Sequence, residues 1–432
     1  MEQTKRLLDF LNGSPSCYHA AENAARALRR QGYTELCEGR EWTLERGGRY
    51  FVLRGGASLI AFRTPREGLT GFSIAAGHSD SPTLKIREQA ELSGGGETVR
   101  LSVEPYGGGI WRFWMDRPLS VAGRVAVAEG DRVAVRLVRV DRDLLVIPSV
   151  AIHMDRKVNQ GTELKANVDL LPLFASGGET GRFSSLIARE AGVAEDAVLG
   201  TDLYLYPRTG AALLGPEQEF VAAPRLDDLQ CVFACLEGFL AAEAGESAPV
   251  LCVFHNEEVG SGTRQGAGST FLEDVLARVC AGLGAAYHTA LANSFLVSAD
   301  NAHAVHPNHP EYADPGERPV LNGGVVLKYN ASQHYCTDAV SGAVFRRLCR
   351  DAGVSVQSYS NRADLPGGST LGNISAAHVS VPAVDIGLPQ LAMHAAYEVG
   401  GVRDTGDLIR VMTRYFACGF QMGEDGSIHI RG

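Results

Sequence analysis

The sequence predicts an α/β fold in which both ends of the chain form one domain and a β-rich insertion interrupts it. Helical and strand-like segments alternate up to about Arg87 and again from Phe220 onward. Between them lies a stretch rich in glycine and β-branched residues. Several strand-like runs in the outer parts end in Asp, Glu or His. In α/β sheets, functional groups gather beyond the carboxyl ends of the strands.

The N-terminal part begins with an amphipathic segment, MEQTKRLLDFLNG, which predicts a helix ended by Gly13. Residues 18–32 carry an apolar stripe at helical spacing and predict a second helix. The run from Phe72 to Ala76 has the pattern of a buried strand, and the loop after it carries His78 and Asp80.

The middle part predicts a β-rich unit with one solvated face. GGGETVRLSVEPYGGG contains a short strand between glycines, and RVAVAEGDRVAVRLVRVDRDLLVIPSVAIHM alternates apolar and charged residues. We expect helices and turns from there to about Glu219.

The C-terminal part repeats the α/β pattern. Residues 228–243 predict a helix, and VLCVFHNEE predicts a strand that delivers Glu257 and Glu258. NSFLVSAD predicts a strand that delivers Asp300, and VSVPAVDIG predicts a strand followed by a loop with His394. A final amphipathic helix is expected over about 405–421.

Charge, apolar runs and cysteine count argue against nucleic-acid-binding, membrane and secreted proteins. The 432 residues carry a formal net charge of -10, which argues against a general nucleic-acid binder and against attraction to an anionic membrane. No run resembles a signal peptide or a membrane span. The nine cysteines are odd in number and scattered, so we expect a reducing compartment and a cytoplasmic protein.

The polar residues at the strand ends predict metal chemistry. Five residues of this set could hold two divalent ions with one Asp as a bridge, and imidazole and carboxylate ligands suit zinc while tolerating cobalt or manganese. In the neighbouring Glu pair, one carboxylate can bind a metal while the other takes a proton from water. The set consists of His78, Asp80, Asp227, Glu257, Glu258, Asp300 and His394.

Each of these residues also has a structural interpretation when taken alone. His78-Ser-Asp80 could be a turn, and Asp227-Asp228 could cap the following helix. The Glu pair could lie on a solvated surface, and His394 could be a structural histidine. The ordered series His, Asp, Glu-Glu, Asp, His, mostly after strand-like runs, favours the metal hypothesis.

Nine segments carry a resemblance to a known family along nearly the whole chain. They are GHSDSPTLKI (77–86), GGGIWRFWMDRPLSVAGRV (107–125), IPSVAIHMDR (147–156), APRLDDL (223–229), NEEVGSGTRQGAGS (256–269), DNAHAVHPNHPE (300–311), LKYN (327–330), GGSTLG (367–372) and GLPQLAMHAAYE (387–398). With these motifs the chain resembles the aspartyl aminopeptidase family of dinuclear metallopeptidases.

The resemblance implies a role for each position of the set. One metal site would contain His78 and Asp300, the other would contain Glu258 and His394, and Asp227 would bridge them. It also implies that Glu257 is the general acid/base and that Asp80 orients His78 from behind.

The resemblance further implies a mixed-sheet metallopeptidase catalytic domain (1–92 and 221–432) with an inserted β-rich oligomerisation domain (93–220). Family members assemble from dimers into dodecamers with the active sites inside. His153 matches a histidine that reaches into a neighbour's active site, and Lys328 matches a lysine that meets the substrate's first side chain. Taken alone, Lys328 could be a solvated strand lysine and His153 a core or interface residue.

Four positions depart from the family pattern. Asp228 replaces the usual Asn, Ser149 stands where a second histidine is frequent, and Ala395 and Tyr397 replace the usual Ser and Arg. None is a predicted ligand, and we expect them to act on the substrate pocket.

These features predict an aminopeptidase that removes the first residue from peptides with a free N-terminus, with a possible preference for Asp or Glu. A related metal amidohydrolase or deacylase is the enzyme alternative. An inactive oligomeric scaffold is the non-enzyme alternative, which loss of a ligand or of Glu257 would favour; the sequence retains all of them.

Overall fold

A nine-stranded mixed sheet organises the two outer parts of the chain. The computed structural model describes residues 2–243, 245–365 and 367–432. In spatial order the strands are β1 (Thr34–Leu36), β2 (Arg49–Arg54), β3 (Ser58–Arg63), β13 (Ala248–Phe254), β4 (Phe72–His78), β14 (Phe295–Ala299), β18 (Ala383–Gly387), β16 (Val325–Tyr329) and β17 (Val356–Ser360). The adjacent strands β13, β4, β14 and β18 are parallel, so their carboxyl ends share one edge.

Helices cover both faces of this sheet. They are α1 (Glu2–Gly13), α2 (Cys17–Arg30), α5 (Leu226–Ala241), α6 (Phe271–Leu283), α7 (Tyr287–Ala292), α8 (Ala339–Asp351), α9 (Leu371–Ser375) and α10 (Val402–Phe416). Short 3-10 helices lie at Trp111–Trp114, Val158–Gln160, Glu195–Ala197, Glu257–Val259 and Pro310–Tyr312.

Successive side chains along a strand point to opposite faces of the nine-stranded sheet, so a hydrophobic core forms on each face. Ala75 of β4 packs in the core that α5, α8 and α10 cover, whereas Ile74 and Ala76 pack in the core that α6 covers. Every residue of β4 is buried, as the run from Phe72 to Ala76 predicts.

The middle of the chain forms a six-stranded antiparallel sheet with its own core around Trp114, Val125, Phe183 and Leu203. Its spatial order is β8 (Arg132–Arg139), β7 (Leu119–Glu129), β10 (Val198–Pro207), β5 (Thr83–Gly94), β6 (Thr98–Tyr106) and β9 (Leu173–Ser176), with α3 (Ala166–Asp169) and α4 (Arg182–Ala191) beside it. The sheet thus begins ten residues before the expected boundary at 93. The division into domains stays a prediction.

Two smaller sheets complete the described residues. One has the order β11 (Ala212–Leu214), β12 (Phe220–Ala223), β20 (Glu398–Gly401), β19 (Pro389–Leu391) and β15 (Ala302–His303). The other is the hairpin of β21 (Gly419–Met422) and β22 (Ile428–Arg431).

The predicted α/β fold with a mixed sheet is confirmed, with two local corrections. The final helix ends at Phe416, because the chain turns there and Phe420 in β21 stacks on Phe295. The expectation of helices and turns up to Glu219 is wrong for β10, whose Leu203 and Leu205 alternate into the core of the six-stranded sheet.

All nine cysteines lie within the described ranges as free thiols. Among the helices that the structure describes, none combines the length and the apolar character needed to cross a bilayer.

Candidate metal centre

The carboxyl edge of the parallel strands collects acidic and histidine side chains. His78 is the last residue of β4, and Asp300 directly follows β14. Glu257 and Glu258 begin a 3-10 helix just after β13. Because β13, β4 and β14 are neighbours, these four residues converge at one place.

Two further side chains reach the same edge from turns. Asp227 lies in the first turn of α5, where its peptide bond to Asp228 is cis. His394 lies between β19 and β20 with a φ of 67°, a left-handed conformation that few non-glycine residues adopt. The distances of Asp227 from His78, and of His394 from Glu258, show that both side chains lie at the strand ends.

The side chains form two groups that share Asp227. In one group, His78 Nε2 lies 3.4 Å from Asp227 Oδ1 and 3.8 Å from Asp300 Oδ1. In the other, His394 Nε2 lies 3.3 Å from Asp227 Oδ2 and 3.4 Å from Glu258 Oε2. The potential ligand atoms of each group lie within 4.8 Å of one another. Asp227 thus presents one carboxylate oxygen to each group.

This donor set fits divalent metal ions. Asp227 Oδ1 and Glu258 Oε1 are buried, and neither has a hydrogen-bond partner among the described residues. Leaving a buried carboxylate oxygen unpaired is costly, and binding a cation removes that cost. Carboxylates and imidazoles are ligands that zinc accepts.

Glu257 lies beside both groups. Burial raises its pKa to about 7, opposed by His78 and reinforced by the carboxylates of Asp300 and Asp227. A pKa near neutrality suits a group that both accepts and donates a proton. Glu257 also forms a potential ligand group with His78 and Glu258, so geometry alone leaves two roles for it.

The pKa values of Glu258 and Asp227 shift in opposite directions. Burial, with the nearby Asp227, raises the pKa of Glu258 well above its usual range. For Asp227, burial is outweighed by the nearby imidazoles of His394 and His78, which lower its pKa. Asp227 is therefore ionised, whereas burial favours the protonated form of Glu258.

Asp80 lies behind the cluster and makes two kinds of contact. His78 Nδ1 donates to the backbone carbonyl of Asp80 at 3.0 Å, while the Asp80 carboxylate lies 3.7 Å away. The same carboxylate accepts the backbone N–H groups of Glu257 and Glu258, each at 3.2 Å. Asp80 thus orients the histidine through its carbonyl and holds the glutamate turn through its side chain.

The segment after β6 supports the cluster from the six-stranded sheet. Tyr106 Oη donates to the Asp80 carboxylate at 2.7 Å, and the carbonyl of Gly108 lies 2.7 Å from His394 Nδ1. Gly107 has a φ of 72°, and a Cβ there would lie 3.1 Å from Glu258 Cβ. Only glycine lets this segment pass so close to the cluster.

A cleft of about 340 Å³ opens in front of the cluster and is also lined by Lys328, Tyr335 and Tyr359. Lys328 is 3% exposed, and its Nζ lies 3.4 Å from Asp300 Oδ2. Burial opposes its charge, but Asp300 keeps its pKa above the usual range. The predicted substrate lysine is therefore a buried cation in the wall of the cleft.

His153 is not part of this cleft within one chain. It lies on an exposed turn beyond β8, beside Ile152 and Met154, which is 83% exposed. The structure brings together every predicted site residue except this one.

The four departures lie around the cleft rather than in it. Asp228 is fully buried and accepts the backbone N–H of His78 at 3.0 Å. Ser149 is exposed and bonds to Asp116, and Tyr397 donates to the carbonyl of Gly210. Ala395 lines a separate small cavity of about 40 Å³ behind Asp80. None of them lines the cleft in one chain, and their effect on the substrate pocket stays a prediction.

Sequence reasoning missed two residues that support the cluster. Tyr106 is the last residue of β6, and Glu398 opens β20 with a buried carboxylate. A glutamate inside an apolar strand pattern, four residues after His394, was the signal available for Glu398.

Comparisons with known proteins identify the family of this chain. The family model described as Aminopeptidase I zinc metalloprotease (M18) matches residues 10–416. The probable M18 family aminopeptidase 2 of Clostridium acetobutylicum is 41% identical over 416 residues, covering 94% of this chain and 96% of that protein.

Two solved structures share the fold. The chain in a cryo-EM structure of the Ape4 and Nbr1 complex is 36% identical with a TM-score of 0.93, covering 96% of this chain and 85% of that one. The chain in the S. cerevisiae mApe1 dodecamer is 26% identical with a TM-score of 0.85, covering 96% of both chains. This chain belongs to the M18 family and is a metal-dependent aminopeptidase.

Proposed function

We propose that this aminopeptidase works with two divalent ions, zinc by preference with cobalt or manganese as substitutes. The residues that would hold them are His78, Asp227, Glu258, Asp300 and His394. The observation that carries this proposal is the position of Asp227, whose two oxygens face different histidines at 3.4 and 3.3 Å. A carboxylate shared between two such groups can hold two metal ions close together, as two-metal sites do.

Glu257 is the proposed general base and acid. When bound, the ions would polarise the scissile carbonyl and make a water molecule more acidic. Glu257 would take the proton of the attacking water and deliver it to the departing amine. Its position beside both groups, together with the hydrogen bond from its backbone N–H to Asp80, supports this role.

The proposed substrates are peptides with a free N-terminus, with Asp or Glu favoured at the first position. One bound ion, aided by nearby carboxylates, would hold the free α-amine. Lys328 supports the acidic preference because it is a buried cation in the cleft wall. Asp300 neutralises part of that charge, so we expect a preference rather than strict selection.

We further propose a homo-oligomer, a dodecamer built from dimers through the segment 93–220, in the cytoplasm. The solved structure of the S. cerevisiae mApe1 dodecamer supports the assembly. His153 would complete the site of a neighbouring subunit, which is consistent with its exposure next to Met154 in one chain.

One experiment tests the core of this proposal. Metal-free enzyme is given Zn, Co or Mn, and each form is assayed on a panel of aminoacyl and N-acylated substrates. We expect two ions per chain and turnover of substrates with a free amine. Turnover restricted to acylated substrates would identify a deacylase instead, and full activity with one ion would refute the two-metal site.

A further inference from the structure

Glu398 connects two residues of the metal cluster that are far apart in the chain. Its carboxylate is 2% exposed and accepts the backbone N–H of Asp227 on Oε2 at 3.1 Å. It also accepts the backbone N–H of His394 on Oε1 at 2.7 Å. One side chain therefore joins the first turn of α5 to the turn before β20.

The two residues so joined are the pair whose side chains must meet. Asp227 Oδ2 lies 3.3 Å from His394 Nε2. The distance between these atoms depends on the relative position of two backbones, and Glu398 bonds to both. Asp80 has the matching arrangement on the other side, where its carboxylate accepts the N–H groups of Glu257 and Glu258.

His394 needs such support because of its backbone. Its φ of 67° lies in the left-handed region, where a residue with a side chain persists only if its surroundings hold it. The carbonyl of Gly108 fixes its ring, and Glu398 fixes its N–H. Without the second bond, the ring would have a fixed partner but a mobile backbone.

We propose that Glu398 is a positioning residue of the metal centre. It touches neither metal nor substrate; it holds the backbones of Asp227 and His394 so that their side chains converge on one ion. This inference rests on the proposed two-metal function and adds a residue to it. The alternative is that Glu398 merely satisfies two buried N–H groups and stabilises the fold.

The chain offers a matched control for that alternative. Asp404 is a fully buried carboxylate that accepts the backbone N–H groups of Asn322 and Gly324 at 2.7 and 2.9 Å. None of these residues belongs to the cluster. Glu398→Gln and Asp404→Asn make the same chemical change, in which one acceptor oxygen becomes a donor that faces a backbone N–H.

Three measurements are made on both variants and the wild type: thermal unfolding, metal affinity by titration against a chelator, and kcat and KM. We expect both variants to unfold at lower temperature. Only Glu398→Gln should lose metal affinity, by about 10–100-fold for one ion, with a similar fall in kcat and a smaller change in KM. Excess Zn should restore part of its activity.

Wild-type metal affinity and kcat in folded Glu398→Gln would overturn the inference, as would an equal loss of metal in Asp404→Asn. If Glu398→Gln does not fold, Glu398→Asp replaces it, because it keeps both oxygens but withdraws them by one methylene. We expect weaker metal binding there too, and wild-type binding would again overturn the inference. A wild type that binds metal but cleaves no peptide would refute the proposed function and leave the affinity test valid.

Discussion

The metal cluster and the turn that carries His153 differ in burial and in chemical character. At the cluster, four carboxylates and two histidines lie together and are largely buried, and four of their backbone N–H groups donate to Asp80 or Glu398. On the turn beyond β8, Ile152 and Met154 are apolar yet exposed, and His153 does not line the cleft of its own chain. The cluster is complete within one chain, whereas the turn presents apolar groups that one chain does not cover.

This difference indicates that the His153 part of the proposed site depends on assembly and that the metal cluster does not. Hydrogen bonds within one chain, from backbone N–H groups of the cluster to the carboxylates of Asp80 and Glu398, position the cluster. Its geometry should therefore survive in an isolated subunit. We expect the exposed turn to gain contacts when a partner subunit covers its apolar side chains. Substitutions in the cluster should therefore impair metal binding or turnover in every subunit, whereas a substitution of His153 should impair the site of a neighbouring subunit.

The largest effect is expected from Asp227→Asn. A bridging carboxylate neutralises both cations, so its loss should remove metal as well as activity. Metal analysis after gel filtration measures the occupancy, with a folded circular dichroism spectrum as the control. Two retained ions per chain would mean that another residue bridges the ions.

Glu257→Gln should spare the metal and abolish turnover. The amide keeps the shape of the side chain but cannot take a proton, and loss of a general base costs about 10²–10⁴-fold. The readout is kcat in protein with verified metal content. Loss of metal along with activity would instead assign Glu257 as a ligand, the second role that the geometry allows.

His153→Ala tests the other side of the comparison. If His153 donates a hydrogen bond to the substrate in a neighbouring subunit, its removal should cost about 10²–10³-fold in rate. Co-refolding His153→Ala with Glu257→Gln should then recover activity, because some sites receive an intact His153 from one chain and an intact Glu257 from the other. Dead mixed particles of verified composition, or an active His153→Ala oligomer, would contradict the shared site.

The smallest effect is expected from Lys328→Ala. Removing the buried cation should lower the ratio of acidic to neutral substrate turnover, with a smaller change in the rate on neutral substrates. Lys328 also pairs with Asp300, so metal content must be measured in parallel. An unchanged ratio in metal-loaded protein would assign Lys328 to the support of Asp300 alone.

The sequence predicted those site residues that directly follow a buried strand. His78, Asp300 and the Glu257–Glu258 pair follow strands whose apolar runs were readable, and adjacent parallel strands bring them together. The role of each residue came from the family resemblance. Strand patterns could not place Asp227 and His394, because both reach the edge from turns.

Supporting residues were harder to predict. Glu398 bonds to Asp227 and Tyr106 bonds to Asp80, each more than 20 residues away, and local pattern does not encode such pairs. The strand β10 was missed because its apolar residues alternate with tyrosines and follow a glycine-containing segment. Its place between β7 and β5 depends on pairing across the sheet.

The segment from Tyr106 to Gly108 has a consequence for the evolution of the chain. It leaves the six-stranded sheet, yet it touches Asp80, Glu258 and His394 of the other part. The sheet that carries it is therefore not a detachable module. A lineage that trimmed or exchanged that sheet would have to rebuild the support of the metal centre at the same time, so the two parts are constrained to diverge together.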